Sequence, residues 1–465
     1  MDMTNKLGTQ PIGKLLASFS IPAVIAMMVN AIYNVVDRIF IGQYAGEAAL
    51  AGLTIVFPAM MLIFGFAGLI GQGGASLVSI KLGEKDKSGA SKIFSNMLMM
   101  STMISVLMAG LMFWQLEPVL RFFGADAVTM PHAFDYMRII LIGIVFQITS
   151  FTLNGIVRSE GQPMLSMRSM MASALTNIVL DYIFIAKFGW GAQGAALATI
   201  LGQFVGLVIL GQYFLGGKSN LKVSAENLKL DFHIVKQIVT VGATTFLSTV
   251  GTSVAMLALN KSLGAYGGIA AITSMGVVNS LFTLFIMPIM GLQQGMQPII
   301  GYNHGAGHQD RVKKTLIYGM GTGVIFSTAV FIVLQVYPVT LMSMFLDPAS
   351  STMSVAVEGL KIFMLALPVL SINLLGTSYF QSIAASRKAL FLGAARQFLF
   401  LVPLVLILPK FYGLKGVWYA TPIADFTAVV ATVILLIPAV RKSGHVLGQP
   451  ETEKVVEGKA MNTAA

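Results

Sequence analysis

Ser20–Gly42 reads SIPAVIAMMVNAIYNVVDRIFIG. The run is long enough to cross a bilayer, which takes roughly 20 apolar residues. It nevertheless carries an acid, Asp37. Asn30, Asn34 and Asp37 stand at i, i+4 and i+7, so a helix puts all three on one face. A carboxylate is costly in hydrocarbon and turns toward a partner or a wet cavity. Arg38 is adjacent but points about 100° away on a helix, so Asp37 reads as functional rather than as half of an ion pair. The run is not a cleavable signal peptide: it is too long, holds an acid and two asparagines, and lacks a small-residue cleavage site.

The rest of the chain is equally apolar. Of 465 residues, 56% are hydrophobic and 11% charged, and the mean hydropathy is +0.80. Soluble domains carry about 25% charged residues, so this is an all-α polytopic membrane protein. There is no cysteine, which excludes disulfides and thiolate chemistry. The net charge of +11 is assigned to loops that orient the chain in the lipid bilayer, not to nucleic acid. Apolar runs between polar or Gly/Pro breaks give twelve spans, near 14–41, 48–80, 93–116, 133–157, 164–187, 191–215, 234–260, 268–302, 313–337, 354–381, 388–409 and 414–440. Most of the 30 Lys and Arg fall in connections on the N-terminal side, which predicts that both termini are cytoplasmic.

The polar connection at 216–233 divides the chain into an N-lobe, 14–215, and a C-lobe, 234–440. Residues 1–13 and 441–465 form cytoplasmic ends. A shift of 222 residues superposes Gly42 on Gly264, Tyr44 on Tyr266, Gly46 on Gly268, Gly73 on Gly295, Gly83 on Gly305, and Thr199 on Thr421. Six spans separate equivalent points, so the two six-helix lobes are parallel repeats around a central cavity, a secondary-transporter layout.

Only Asp37, Asp181 and Asp425 are carboxylates well inside predicted spans. Asp37 falls on Leu259 in the second half, so this acid has no twin. Ser173, Asn177 and Asp181 share one helix face; Gln147, Ser150 and Asn154 form a polar edge; Thr199 and Gln203 are one turn apart. With Asn30 and Asn34 they are expected to line one pocket in the N-lobe. Tyr33, Met27 and Met60 are candidate lining residues of the same cavity. Two carboxylates, amides and a hydroxyl make a proton-binding pair or an all-oxygen cation site; Na+ would sit at Asp37, Asn177 and Asp181. Pro22 removes one backbone hydrogen bond and marks a bend in the first helix, fixed by packing or responsive to Asp37. Asp425 lacks an amide row and reads as a polar packing position. Arg38, Arg138 and Arg396 fall near helix ends, with no central basic cluster. No zinc spacing, P-loop or nucleophile elbow occurs, so ATP is not used directly within the chain.

These residues resemble the multidrug and toxic compound extrusion (MATE) transporters over nearly the whole chain. The resemblance rests on Ile21–Pro22, V-D-R-I-F-I-G at Val36–Gly42, L-G-E-K-D at Leu82–Asp86, and N-x-x-x-D at Asn177–Asp181. It is nearer to the bacterial and archaeal branch with an acid in the first helix and an Asn/Asp pair in the fifth. It implies a pocket at Asp37, Asn154, Asn177, Asp181 and Thr199, and bending at Pro22. The branch with acids in helices seven, eight and ten finds no counterpart, since Asn260, Asn279, Thr283 and Asn373 are neutral. The implied function is a secondary multidrug exporter, not an enzyme. It would be monomeric, in a prokaryotic inner membrane, and need no cofactor. It would antiport amphipathic or cationic organic compounds against H+ (or Na+) by rocker-switch alternating access. The alternatives are a flippase for a lipid-linked precursor, which calls for several arginines in the cavity, and an intramembrane aspartyl enzyme at Asp37 and Asp181.

Overall fold

The computed structural model describes residues 5–222, 229–350 and 352–442. The expected terminal tail beyond 442, the first four residues and the middle of the connection between halves lie outside the described residues. Among the described residues, eleven helical runs are long and apolar enough to cross a membrane. One of them, Phe232–Gly305, breaks at Gly268, where φ is 60° and ψ −155°. It therefore holds two spans and makes twelve. They are α1 (Ile12–Ala45), α2 (Glu47–Gly83), α3 (Lys87–Trp114), α4 (Met130–Ser159), α5 (Pro163–Lys187), α6 (Gly191–Leu215), α7 (232–267), α8 (269–305), α9 (Gln309–Val336), α10 (Thr352–Ser382), α11 (Ser386–Ile407) and α12 (414–442). Helices satisfy every backbone polar group within the segment, the condition for crossing hydrocarbon.

The repeat read from the sequence reappears as backbone geometry. Gly46 ends α1 with φ 85° and Gly268 ends α7 with φ 60°. Gly191 opens α6 with φ 52° and Gly413 precedes α12 with φ 56°. Both pairs are 222 residues apart, and only glycine enters this region at no steric cost. Short helices at Leu116–Phe122 and Pro338–Ser343 follow α3 and α9 at equivalent points.

The halves meet through close glycine contacts that are reciprocal. Gly83 on α2 abuts the Tyr302 carbonyl on α8, and Gly305 on α8 abuts the Ile80 carbonyl on α2. Gly73 on α2 packs on Gly242 of α7, while Gly295 on α8 packs on Ser20 of α1. Each contact maps onto its partner under the 222-residue shift, so the seam has approximate two-fold symmetry. Gln297 Nε2 adds contacts to Ser76 Oγ at 3.5 Å and Ser79 Oγ at 3.4 Å. Farthest from the chain termini, Gln294 Nε2 reaches Met27 Sδ at 3.5 Å and Gly65 meets Phe246. Beyond Met27 on α1 and Gly65 on α2, toward the far end, no glycine contact or side-chain hydrogen bond joins the halves among the described residues. The glycine contacts and side-chain hydrogen bonds between the halves thus gather toward the end that bears the N-terminus.

That end is fastened by loops. Asp86 caps α3 by accepting from the Gly89 N–H at 2.8 Å, an interaction worth about 1 kcal/mol; this bond holds its carboxyl below the usual range. Arg311 donates to the carbonyls of Leu7 at 3.0 Å and Gln10 at 2.7 Å, and to Asn303 Oδ1 at 2.8 Å. Glu160, 1% exposed, accepts from Ser219 Oγ at 2.8 and 2.9 Å and from the Asn220 N–H at 2.7 Å.

Two measurements check this account. A side chain at Gly242 would collide with the Leu69 carbonyl, so Gly242→Leu is expected to hold the seam apart. In this cysteine-free chain, disulfide formation between S76C and Q297C should then drop by more than half; an unchanged yield would refute the seam's role. Burial also raises the Glu160 carboxyl above its ordinary pKa. An acid so raised lends stability that is full below its unfolded pKa, about 4.3, and is lost as pH rises through the folded value. Glu160→Gln should remove that part of the decline in melting temperature of the purified protein.

Candidate functional site

Helices α5 and α6 come together because α6 offers glycines where α5 offers backbone. A Cβ on Gly202 would stand 2.7 Å from the Ser173 carbonyl oxygen, and Ser169 Oγ donates to the Gly206 carbonyl at 2.9 Å. This approach sets Asn177 of α5 against Thr199 of α6. With its amide turned to satisfy both ends, Asn177 donates to Asp181 Oδ2 at 3.3 Å and accepts from the Thr199 N–H at 3.3 Å. Helix α1 packs across α5 and brings Asp37 into contact with the Asp181 carboxyl. No ion pair joins Asp37 to Arg38 among the described residues.

Both acids are buried, Asp37 9% and Asp181 0% exposed. Each keeps one oxygen, Oδ1, buried without a hydrogen-bond partner. Two carboxyls in contact, each with an unmet acceptor, are a place where a proton is shared or a cation is taken up. Unmet buried acceptors are costly, and a bound proton or cation would answer them. No group of three or more His, Cys, Asp or Glu side chains that could hold a metal occurs among the described residues. A bound cation would thus depend on these two acids together with neutral oxygens.

Asp37, Asn177, Asp181 and Thr199 are brought together. Tyr33, half-buried, lies beside Asn34 and within electrostatic range of both acids. Asn34 Nδ2 donates to the Asn30 carbonyl at 2.7 Å and to Asn30 Oδ1 at 3.1 Å, on the exposed side of α1. The sequence reading missed Tyr136. This buried tyrosine of α4 faces Asp37, Tyr33, Thr199 and Asp181. A phenol at the start of an apolar span was its only signal.

Asn154 is not in this cluster. It lies about five turns, 27 Å of helix, beyond Tyr136 on α4. Its Nδ2 donates to the Ser150 carbonyl at 2.9 Å, and its Oδ1 accepts from Ser166 Oγ at 2.8 Å. Ser166 in turn takes a bond from Arg158 Nη1 at 3.0 Å. Met27 is buried at the seam between halves rather than on an open wall. Met60, Gln147, Ser173 and Gln203 are half-buried. Pro22 is buried inside a helix that continues past it. Two readings are corrected. Arg396 is not near a helix end but in the middle of α11, and Asp425 is not a lone packing residue but its partner, with Nε to Oδ1 at 2.6 Å. The one-dimensional pattern missed the pair because the two residues lie on different helices and neither has a row of amides on its own helix face.

Comparison with known proteins agrees with the geometry. The MatE family model matches residues 22–183 and again 245–407. A multidrug export protein, MepA, of Staphylococcus saprophyticus is 27% identical over 418 residues, covering 90% of this chain and 92% of its own. A solved structure described as the outward-facing conformation of a multidrug resistance MATE family transporter has a TM-score of 0.88 at 25% identity, covering 94% of this chain and 98% of that one. Another, described as MATE in the bent conformation, also has a TM-score of 0.88 at 25% identity, with 95% and 99% covered.

If Asn177 holds Asp181 as described, Asn177→Leu leaves Asp181 Oδ2 without its donor. The purified protein should lose about 1–3 kcal/mol of stability, read as a lower melting temperature, while the same change at exposed Asn34 should cost little. Two copies of one family segment, the twelve-helix bundle and the structural likeness lead to one conclusion: the chain belongs to the MatE family and is a membrane transporter, not an enzyme.

Proposed function

We propose that this multidrug efflux transporter of the MATE family is a cation-coupled antiporter, with Asp37 and Asp181 as the coupling site. The observation that carries the reading is the buried contact of two carboxyls, each with an unpartnered oxygen. Two such acids repel when both are ionised, and a shared proton relieves that repulsion without any further ligand. We therefore favour H+; Na+ held by Asp37, Asp181 and Asn177 is the other ion the donor set suits. The substrates are amphipathic, cationic organic compounds, the class that an acidic pocket in an apolar bundle attracts. Substrate and ion compete for the same carboxyls, and exchange between them couples the two flows. Coupling requires that each ligand favour one of the two conformations.

Alternating access would come from rocking the halves about the glycine seam, opening one end as the other closes. Pro22 leaves the Ser18 carbonyl without its helical donor, so α1 has a soft point on the lobe side of the seam. Asn154, expected in the same pocket, belongs instead with Ser166 and Arg158 and is assigned no part in ion binding. The protein would reside as a monomer in the inner membrane, both termini cytoplasmic, the N-lobe covering 14–215 and the C-lobe 234–440.

Everted vesicles with pH and Na+ gradients imposed separately test the scheme. Uphill export of an organic cation should be driven by the pH gradient and fall to background in Asp37→Asn and Asp181→Asn. Pro22→Ala, which restores the missing N–H, should slow export while leaving substrate affinity intact. Full gradient-driven export by Asp37→Asn would sink the coupling scheme.

A further inference from the structure

Helices α11 and α12 hold a charge pair that the proposed ion site does not use. Arg396 Nε donates to Asp425 Oδ1 at 2.6 Å, and the side chains are 16% and 4% exposed. The two residues stand midway along their spans, Ser386–Ile407 and Pro409–Arg441. Asp425 occupies one of the five guanidinium N–H groups. The two Nη atoms have no hydrogen-bond partner among the described residues. A charged fork at mid-bilayer does not face hydrocarbon; it faces the bundle interior or a water-filled cavity. Unmet polar atoms stand nearby in the sequence. Gln397 Oε1, next to Arg396, and Thr421 Oγ1, one turn before Asp425, are buried without partners. Gln397 is held in place by its bond to Thr252 Oγ1 of α7 at 2.9 Å.

A planar fork of parallel N–H donors matches the two oxygens of a carboxylate. Lipid headgroups lie at the interface, about 15 Å from this depth, which favours a carried molecule over a lipid as the source of the anion. Asp37 and Asp181, in the other half of the chain, suit a cationic end. We propose that Arg396 is a recognition site for the carboxylate of zwitterionic amphiphiles that this protein carries. The proposal rests on the exporter reading above.

The test compares one fluorescent aromatic amino acid, bearing a protonated amine and a carboxylate, with its methyl ester, a monocation of the same shape. Binding is measured to the purified full chain in detergent, and export in everted vesicles. The variants are Arg396→Lys, which keeps charge but loses the fork, and Arg396→Gln with Asp425→Asn, which avoids stranding one buried charge. The Kd of the acid is expected to rise about tenfold in the double variant and less in Arg396→Lys, while ester binding stays near wild type. An unchanged acid-to-ester ratio in both variants overturns the proposal, as does equal loss of both compounds, which would make the pair a structural contact only. Mixed micelles of phosphatidylglycerol that displace the acid but spare the ester would reassign the fork to a lipid. Failure of the wild type to export even the ester would count against the exporter reading, and the binding ratio would still decide the role of Arg396.

Discussion

Hydrocarbon offers no hydrogen bond, and this constraint shapes the whole molecule. Every backbone amide must be satisfied within its own segment, so the chain has only helices to use across the bilayer. Most intramembrane polar side chains obey the same rule. Ser79 bonds to Ser159 at 2.9 Å, Ser101 to Thr152 at 3.0 Å and Asn373 to Thr432 at 2.9 Å, each inside the bundle. Against that background an unmet polar atom is informative. Four of the eleven such side-chain atoms among the described residues belong to Asp37 and Asp181 or to the sequence neighbours of Arg396 and Asp425, Gln397 and Thr421.

The seam between halves answers a different need. Glycine lets two backbones approach until carbonyls nearly touch the opposing helix, and close packing of small residues is what joins helices where lipid removes the hydrophobic drive. The glycine contacts have counterparts under the repeat, whereas the bonds from Gln294 and Gln297 occur on one side only. The glycine contacts let the two halves lie close along the seam, and apolar packing such as Phe66 on Phe246, at 4.9 Å between ring centroids, continues the core across it. The charges break the symmetry that the backbone keeps. Under the 222-residue shift Asp37 falls on Leu259 and Asp181 on Pro403, so the second half has no acid at either point. The acid pair stands on one side of the seam and the Arg396–Asp425 pair on the other.

Much of this was legible in the sequence, and the exceptions share a cause. Composition and apolar run length yielded the twelve spans, and the glycine offset paired Gly46 with Gly268, which the structure shows as turns at φ values that only glycine enters freely. Helical spacing grouped Asn177 with Asp181 because both lie on one helix. Spacing says nothing about depth on a neighbouring helix, so Asn154 was placed with acids that lie five turns away, and Tyr136, which meets them from α4, was overlooked. Arg396 and Asp425 illustrate the same limit. Neither has an opposite charge on its own helix, and only the packing of α12 on α11 makes them a pair. The L-G-E-K-D motif proved to be architectural: Gly83 meets the Tyr302 carbonyl, Lys85 takes φ 62°, and Asp86 caps α3.

The helices also depart from regular geometry where they carry charge. π-helical turns occur at Ile41–Ala45, Tyr182–Lys187 and Ala395–Leu401. The second begins immediately after Asp181, the first one turn beyond Asp37, and the third contains Arg396. A π turn inserts one residue into the helix and so re-aims the side chains on one side of it relative to those on the other. In α1 and α5 the two turns pack together. Phe40 stacks on Tyr44 at 6.1 Å between ring centroids and approaches Tyr182 at 6.4 Å. The insertion thus lets one helix turn an acid inward and, a turn later, present aromatic rings at the adjoining face. A regular helix of the same sequence would swing one of these two sets round by about 100°. The irregular turns are therefore part of how the acids are aimed, and a carrier whose helices were ideal throughout would hold its charges against the wrong neighbours.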